Sequence, residues 1–257
     1  MGLVRGVGQF TCRFFAQTGR LSIFIFATLS SAMRPPYYPR EIWRQIVDIG
    51  FYSLPVVGLT ALFSGMVLAL QSHTGFSRFS AEGAVATVVV LSITRELGPV
   101  LAGLMVAGRV GASIAAEIGT MRVTEQIDAL RTLSTDPYKY LVAPRLLAGL
   151  IMMPFLVLVA DIIGVMGGFI VSVYKLDVNP SSYLHQTVKY LAMEDVMSGL
   201  IKAAVFGVVL TAMGCYHGYY SKGGAQGVGR ATTMAVVSGS IMILVFNYLL
   251  TALLFHG

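Results

Sequence analysis

Apolar residues are grouped into long runs along this chain, and most charged residues lie between the runs. A helix needs about 20 largely apolar residues to cross a hydrocarbon core that is ~30 Å thick. Four runs reach that length, and a fifth is weakened by Lys202. The pattern therefore predicts an all-α integral membrane protein with five transmembrane helices, at residues 50–71, 82–108, 146–174, 196–216 and 231–255.

The composition of the chain agrees with a membrane protein. The 257 residues are 56% hydrophobic and 12% charged, whereas soluble domains carry about 25% charged residues. The two cysteines, Cys12 and Cys215, are far apart in sequence and form no metal motif. Neither a disulfide nor a zinc site is therefore expected.

Lysine and arginine are distributed unevenly between the two sides that five spans define. Six arginines precede the first run, five basic residues lie in 109–145, and Lys222 and Arg230 lie in the last connection. The opposite side holds Arg78, Lys175 and Lys189. Because cytoplasmic loops are enriched in Lys and Arg, the N-terminus is predicted in the cytoplasm, and five spans then place the C-terminus outside. This topology explains the net charge of +6, and no nucleic-acid partner is expected.

Two shorter segments precede the first span. Residues 21–33 are apolar but too short to cross a bilayer, which predicts an interfacial helix; a cleaved signal peptide is the alternative. Further along, Ile42, Ile46 and Ile49 recur at helical spacing, as in a helix that lies on the membrane surface. We therefore divide the chain into N-terminal interfacial and elbow helices, residues 1–49, and a five-span domain, residues 50–257.

Charged residues also occur inside the predicted spans. Arg95 and Glu96 lie near the middle of the second span, Asp161 near the middle of the third, and Lys202 in the outer part of the fourth. Each such charge costs about 2.5–3.5 kcal/mol at a helix centre, so it must pair or face water. Adjacent helical positions diverge by about 100°. We therefore expect Glu96 to contact Lys202, and Arg95 to contact Asp161 or a polar cavity. Structural ion pairs and a functional cavity both fit this pattern.

The connection between the second and third spans carries an amphipathic pattern. Thr120 can cap a helix in which Val123, Ile127 and Leu130 form one apolar stripe. Such a helix would lie across the cytoplasmic face as a docking element for a soluble partner, and an ordinary amphipathic loop helix is the alternative. An Asp-Pro pair at 136–137 supplies a cap and a first-turn proline for the next helix.

The sequence contains no nucleotide-binding motif. The pattern G-x-x-x-x-G-K-[S/T] does not occur, and the glycine-rich stretch at 221–230 lacks its Lys-Ser/Thr pair, so we interpret that stretch as a cytoplasmic turn. The four histidines, at positions 73, 185, 217 and 256, show no metal-ligand spacing. The chain is therefore not expected to bind and hydrolyse ATP itself, or to hold a metal or cofactor of its own.

Several strings resemble the MlaE/YrbE family, the permease subunits of lipid ABC transporters that work with MCE proteins. The longest are TRELGPVLAGLMVAGRVGASIAAEIGTMRVTEQIDAL at 94–130 and DPYKYLVAPR at 136–145. The resemblance continues through LIKAAVFGVV and GVGRATT to the last span, and covers nearly all of the chain after residue 40.

The resemblance implies a permease subunit in the bacterial inner membrane. Such a subunit moves phospholipid between that membrane and a periplasmic MCE-domain protein, a process linked to outer-membrane lipid asymmetry. It implies a homodimer and a separate cytoplasmic ABC ATPase that holds ATP and Mg²⁺. The helix at about 113–131 would be the coupling helix, and its ATPase-coupling residues would be Glu117, Arg122, Glu125 and Asp128.

The same resemblance places family positions on individual residues. The family's charged positions in the second span correspond to Arg95 and Glu96, and its basic position in the fourth span corresponds to Lys202. Some members have an acid in the last span where this chain has Asn247, which can still exchange hydrogen bonds. The topology adds apolar residues that would contact lipid tails. The predicted substrate-binding residues are thus Arg95, Glu96, Lys202, Asn247, Leu68, Leu70 and Phe79.

Two other classes of function stay open at this stage. One is an intramembrane lipid-modifying enzyme with Glu96 or Asp161 as general base. The other is an ATP-independent secondary transporter, which predicts inverted repeats, and no internal repeat is visible. Turnover by the chain alone would favour the enzyme, whereas ATP dependence that requires a separate ATPase would favour the permease.

Overall fold

The computed structural model describes residues 12, 15–16, 19–28, 30–31, 38–77 and 84–254, and these ranges are helical with short connections and no strand. We number the α-helices of these ranges in chain order. They are α1 (Gly19–Thr28), α2 (Pro39–Ile49), α3 (Leu54–Phe76), α4 (Ala84–Ser92), α5 (Gly98–Val106), α6 (Ala112–Val123), α7 (Gln126–Thr132), α8 (Ala143–Tyr174), α9 (Pro180–Tyr190), α10 (Met193–Tyr219) and α11 (Gly224–Leu254).

Five helical stretches of the described ranges are long and apolar enough to cross a membrane. They are Pro39–Phe76, Ala84–Val123, Tyr138–Tyr174, Met193–Tyr219 and Gly224–Leu254. The second stretch consists of α4, α5 and α6, joined by π-helical turns at Ile93–Leu97 and Ala107–Gly111. The prediction of an all-α protein with five spans, preceded by a shorter apolar helix, is confirmed.

The fifth span begins earlier than the sequence predicted. α11 starts at Gly224, so most of the glycine-rich stretch 221–230 forms the first turns of a helix, and its interpretation as a turn was wrong for those residues. The chain reverses within a few residues because Gly223 and Gly224 take φ values of +94° and +66°. Glycine reaches this left-handed region without the steric cost that a Cβ would add.

Glycine contacts pack the third span against the first and the fourth. A Cβ on Gly65 of α3 would lie 1.9 Å from the carbonyl oxygen of Gly164 in α8. A Cβ on Gly207 of α10 would lie 2.2 Å from the carbonyl oxygen of Gly149, also in α8. Since helices in a bilayer associate through close packing, small residues at these crossings let the backbones approach. α8 therefore lies between α3 and α10.

Aromatic rings attach α1 to one end of the bundle. Phe24 is buried, and its ring centroid lies 5.6 Å from those of Tyr138 and Tyr216 and 6.0 Å from that of Tyr219. Edge-to-face contacts of this kind add stabilisation beyond the buried area. The short N-terminal helix thus packs where the third span begins and the fourth ends.

Candidate functional site: a polar cluster between the spans

The π turn at Ile93–Leu97 interrupts the second span at its two charged residues. Pro99 follows this turn and has no N–H, so the carbonyl of Arg95, four residues earlier, has no α-helical donor. Lys202 Nζ of α10 donates to that carbonyl oxygen at 2.8 Å. Because of the proline, this backbone carbonyl is available to accept a hydrogen bond from a side chain of another span.

Lys202 is fully buried between the second and fourth spans, with a relative exposure of 0%. Its Nζ also donates to Glu96 Oε1 at 2.7 Å. A charge at this depth is stable only when it is paired and hydrogen-bonded. The predicted contact between Glu96 and Lys202 is confirmed.

The fifth span supplies two more donors to Glu96. Asn247 Nδ2 donates to Oε2 at 2.8 Å, and Thr251 Oγ1 donates to Oε1 at 2.9 Å. Asn247 therefore contacts the charged pair, and its role in substrate binding stays a prediction. Thr251 was missed from the sequence, although it lies four residues after Asn247, on the same face of a helix.

Arg95 pairs with an acid at the start of α10. Its Nε and its Nη2 both lie 2.6 Å from Asp195 Oδ1. The other oxygen of Asp195 accepts the backbone N–H of Ala192 at 3.2 Å, in the first turn of the helix. The expected contact between Arg95 and Asp161 was wrong, because Arg95 faces α10 and Asp161 lies on α8. The alternative, a polar cavity at Arg95, stays a prediction.

Asp161 is buried without a hydrogen-bond partner in the described part of the chain. Its exposure is 6%, and neither carboxylate oxygen accepts a hydrogen bond there. The carboxylate packs against Gly98 of α5, where a Cβ would lie 2.0 Å from Oδ1. Gly98 and Glu96 are two positions apart, so they face opposite sides of the second span. The structure therefore separates Asp161 from the polar cluster, which consists of Arg95, Glu96, Asp195, Lys202, Asn247 and Thr251.

The cluster is closed on one side and open on the other. The side chains of Lys202 and Asp195 are 0% and 3% exposed, whereas those of Arg95 and Glu96 are 41% and 39% exposed. Charged groups inside a membrane face a protein interior or a water-filled cavity rather than lipid tails. The open side must therefore adjoin water, a polar ligand or another protein surface.

Two of the three apolar residues of the predicted site, Leu68 and Leu70, lie in the described ranges. Leu68 is half-buried and packs against Ala69, Val85, Val89 and Ile93, in a small core between spans. Leu70 is also half-buried. Phe79 lies outside the described residues. Lipid contact by these three residues stays a prediction.

The connection between the second and third spans folds as two helices. α6 continues the second span to Val123, and α7 begins at Gln126 after a break at Thr124 and Glu125. The expectation of a single helix at 113–131 was therefore wrong. Thr120, which was expected to cap that helix, lies inside α6, where its hydroxyl donates to the carbonyl oxygen of Ala116 at 2.8 Å. Glu125 forms the corner, with a left-handed φ of 60°.

Ion pairs fix this corner on the end of the bundle. Arg122 donates to both oxygens of Asp128, at 2.9 and 3.0 Å. Glu117 pairs with the buried Arg145 of α8 at 2.8 Å. Three of the predicted coupling residues thus hold the two helices in place. Glu125 is exposed and makes no ion pair with the residues that the structure describes, so it is the member free to contact another protein.

Five spans, a charged cluster open to one side and an ordered corner between α6 and α7 define a polytopic helical membrane protein with a polar site inside its bundle. Comparison with known proteins identifies the class further. The family model described as "Permease MlaE" matches residues 42–253. The chain belongs to this family of permeases, as the resemblance of its sequence motifs indicated, and it is not itself the ATP-hydrolysing subunit.

Curated relatives match over most of their length. A "Probable ABC transporter permease protein" of Rickettsia felis is 64% identical over 255 residues, which is 99% of this chain and 98% of that protein. The "Intermembrane phospholipid transport system permease protein MlaE" of Haemophilus influenzae is 34% identical over 256 residues, which is 99% of this chain and 98% of that protein. "Protein TRIGALACTOSYLDIACYLGLYCEROL 1, chloroplastic" of Arabidopsis thaliana is 36% identical over 220 residues, 85% of this chain and 62% of that protein.

Proposed function

We propose that this chain is the membrane permease of an ATP-driven phospholipid transporter, and that the open polar cluster is where it handles the lipid headgroup. The observation that carries the proposal is a charged, hydrogen-bonded site that opens inside the bundle of an MlaE-family permease. The name of the Haemophilus relative supports phospholipid as the substrate.

Within the cluster, Arg95 is the group best suited to a lipid phosphate. Its guanidinium is half-exposed and can bind two phosphate oxygens at once. Lys202 is enclosed by Glu96 and the Arg95 carbonyl, so its role is to hold Glu96 in position. A ligand phosphate at Arg95 would compete with Asp195 for the same guanidinium. Binding and release of lipid would then change this one ion pair.

A second copy of the chain would complete the site. Only 11% of the most apolar stretch of α11 is buried, compared with 33–56% for the other four spans. In the C-terminal half of α11, Leu244, Tyr248 and Leu253 are 51%, 74% and 78% exposed. Asn247 and Thr251 of the same segment bind Glu96. A homodimer packed on this segment would enclose the open side of the cluster between two copies.

Coupling to ATP would enter through the corner between α6 and α7. The chain lacks the nucleotide-binding motif G-x-x-x-x-G-K-[S/T], so ATP and Mg²⁺ would bind a separate cytoplasmic ATPase. α6 belongs to the same helical stretch as Arg95 and Glu96. Movement of the corner can therefore be transmitted along one span to the polar cluster.

The distribution of basic residues supports an orientation in the bacterial inner membrane. The corner and the N-terminus would lie in the cytoplasm, and the C-terminus and the polar cluster would lie toward the periplasm. A periplasmic MCE-domain protein would receive or deliver the lipid on that side. The MCE partner follows from the family resemblance.

The coupling experiment compares two single charge reversals in the tagged, full-length chain. Glu125→Lys changes the exposed corner, and Glu194→Lys changes an exposed acid at the start of α10. We expect Glu125→Lys to reduce both co-purification of the ATPase and ATP-dependent phospholipid transfer in proteoliposomes, with Glu194→Lys as the control that retains both. Transfer by the chain without an ATPase, or chemical conversion of the lipid, would refute the proposal in favour of a secondary transporter or an enzyme.

A further inference from the structure

A separate cavity lies at the opposite end of the spans from the polar cluster, where α10 ends and α11 begins. Its volume is about 600 Å³, within the range of about 300–1,000 Å³ that is typical of small-ligand pockets. Its polar wall includes His217, Tyr220, Lys222, Gln226 and Arg230. The proposed function assigns no role to this cavity.

Two cations line the cavity without an acid beside them. The side chains of Lys222 and Arg230 are exposed and make no ion pair or hydrogen bond within the described residues, and the lining contains no Asp or Glu. His217 is held on the wall by a hydrogen bond between its Nε2 and the hydroxyl of Ser238, at 2.9 Å. Arg offers a planar pair of donors to a phosphate, and Lys offers a compact charge. The cavity thus has the charge and donors for a phosphate group.

The backbone of the turn adds to this complementarity. The left-handed Gly223 and Gly224 lead directly into α11. A Cβ on Gly227 would lie 1.9 Å from the carbonyl oxygen of Lys222, so the turn is built around glycine. The first N–H groups of a helix have no acceptor within it and carry partial positive charge. Those of α11 lie in the segment that lines the cavity.

An apolar surface leads from the cavity along residues 234–241 of α11. Met234 lines the cavity and is 46% exposed, and Val237 and Ile241 follow at helical spacing with exposures of 47% and 56%. A soluble phosphate would use only the cationic wall, whereas a phospholipid would use both surfaces. Residues 234–241 precede the segment 244–253 of α11, which we assign to the contact with the second copy.

We propose that this cavity binds the headgroup phosphate of an anionic phospholipid, whose acyl chains lie along Met234, Val237 and Ile241. The site is additional to the polar cluster and does not depend on transport. With the proposed orientation, it would hold a lipid of the cytoplasmic leaflet, where basic residues attract anionic headgroups.

The test uses a tryptophan placed beside the cavity. The only natural tryptophan, Trp43, is changed to Phe, and Val237→Trp provides the reporter in the full-length chain. The protein is placed in phosphatidylcholine nanodiscs that contain acyl-brominated phosphatidylglycerol or acyl-brominated phosphatidylcholine at equal mole fraction. We expect stronger quenching by phosphatidylglycerol. Lys222→Gln with Arg230→Gln should weaken its apparent affinity about 25-fold, since each basic residue near an anionic lipid contributes roughly fivefold.

Matched controls show whether the cationic wall of this cavity causes the lipid preference. Lys175→Gln with Lys189→Gln removes the same charge at the other end of the spans and should leave the quenching unchanged. Equal quenching by the two lipids would overturn the proposal. Loss of the phosphatidylglycerol preference on adding millimolar inorganic phosphate would instead identify a site for soluble phosphate. If the variant with Lys222→Gln and Arg230→Gln does not fold, the chain with the native cavity still provides a test. Its stronger quenching by phosphatidylglycerol than by phosphatidylcholine must decrease as salt is added. No ATP is used, so this result is independent of the transport assay.

Discussion

Glu96 and Asp161 both lie deep inside the spans, and the structure accommodates these two acids in opposite ways. Glu96 accepts hydrogen bonds from Lys202, Asn247 and Thr251, and its side chain is partly exposed. Asp161 is enclosed, accepts no hydrogen bond within the described residues, and faces the backbone at Gly98. An acid in an apolar run therefore does not by itself mark a functional site. The groups across the helix interface decide whether it is paired and whether a ligand can reach it.

The largest effect is expected when the paired acid loses its cation. Lys202→Met should lower the free energy of unfolding in detergent by about 3 kcal/mol, at the lower end of the range for broken buried ion pairs because Glu96 is partly exposed. The substitution also removes the donor to the Arg95 carbonyl. Chemical denaturation of the purified protein measures this change.

A double substitution serves as the control for that loss. Glu96→Gln with Lys202→Met removes both charges and should regain most of the lost stability, because replacing a whole buried pair is far less costly than breaking it. If the double variant is as unstable as Lys202→Met alone, the loss comes from packing rather than from an unpaired charge.

The second effect tests the close contact at Asp161. Gly98→Ala should destabilise the protein by about 1–3 kcal/mol, the usual cost of overpacking, because its Cβ would lie 2.0 Å from Asp161 Oδ1. Gly108→Ala in the same span is the control, since a Cβ there meets no atom within 4 Å. Adding Asp161→Ala to Gly98→Ala should restore part of the stability. The absence of any rescue would mean that another contact causes the loss.

A smaller effect is expected at the Arg95 pair. Asp195→Asn keeps an oxygen for the Ala192 N–H but removes the charge that Arg95 contacts. Arg95 is 41% exposed, so solvent screens the pair and we expect a loss of about 1 kcal/mol. The loss should decrease at high salt. A salt-independent loss would assign the effect to the start of α10 instead.

The smallest effect is expected at the unpaired acid. Asp161→Asn is nearly isosteric and removes no ion pair or hydrogen bond within the described residues, so among these variants it should lower the unfolding free energy least. Phospholipid transfer should also be retained. A loss as large as that of Lys202→Met would show that Asp161 has a charged partner in the assembled transporter, and the contrast between the two acids would fail.

The contacts of the polar cluster show how far sequence reasoning reached. Glu96 and Lys202 could be paired in advance because they have opposite charges at similar depth in neighbouring apolar runs. The contact between Asp195 and Arg95 could not be predicted, because Asp195 precedes the predicted fourth span and because the π turn decides how Arg95 is oriented. The corner at Glu125 was missed for a related reason: a left-handed φ at a non-glycine residue is fixed by packing on either side of it, and propensities do not reveal it.

The helical class, the five spans, the short N-terminal helix and the family could all be predicted from the sequence. Span length and hydropathy are properties of contiguous residues, and the motifs that carry the family are contiguous as well. The contacts between charged residues, including the hydrogen bond from Thr251 to Glu96, became visible only in the folded chain. The same holds for the position of Asp161 beside Gly98 and for the basic cavity where the glycine-rich stretch begins α11. These features depend on the rotation and separation of helices that are distant in sequence, and side-chain packing between spans sets both.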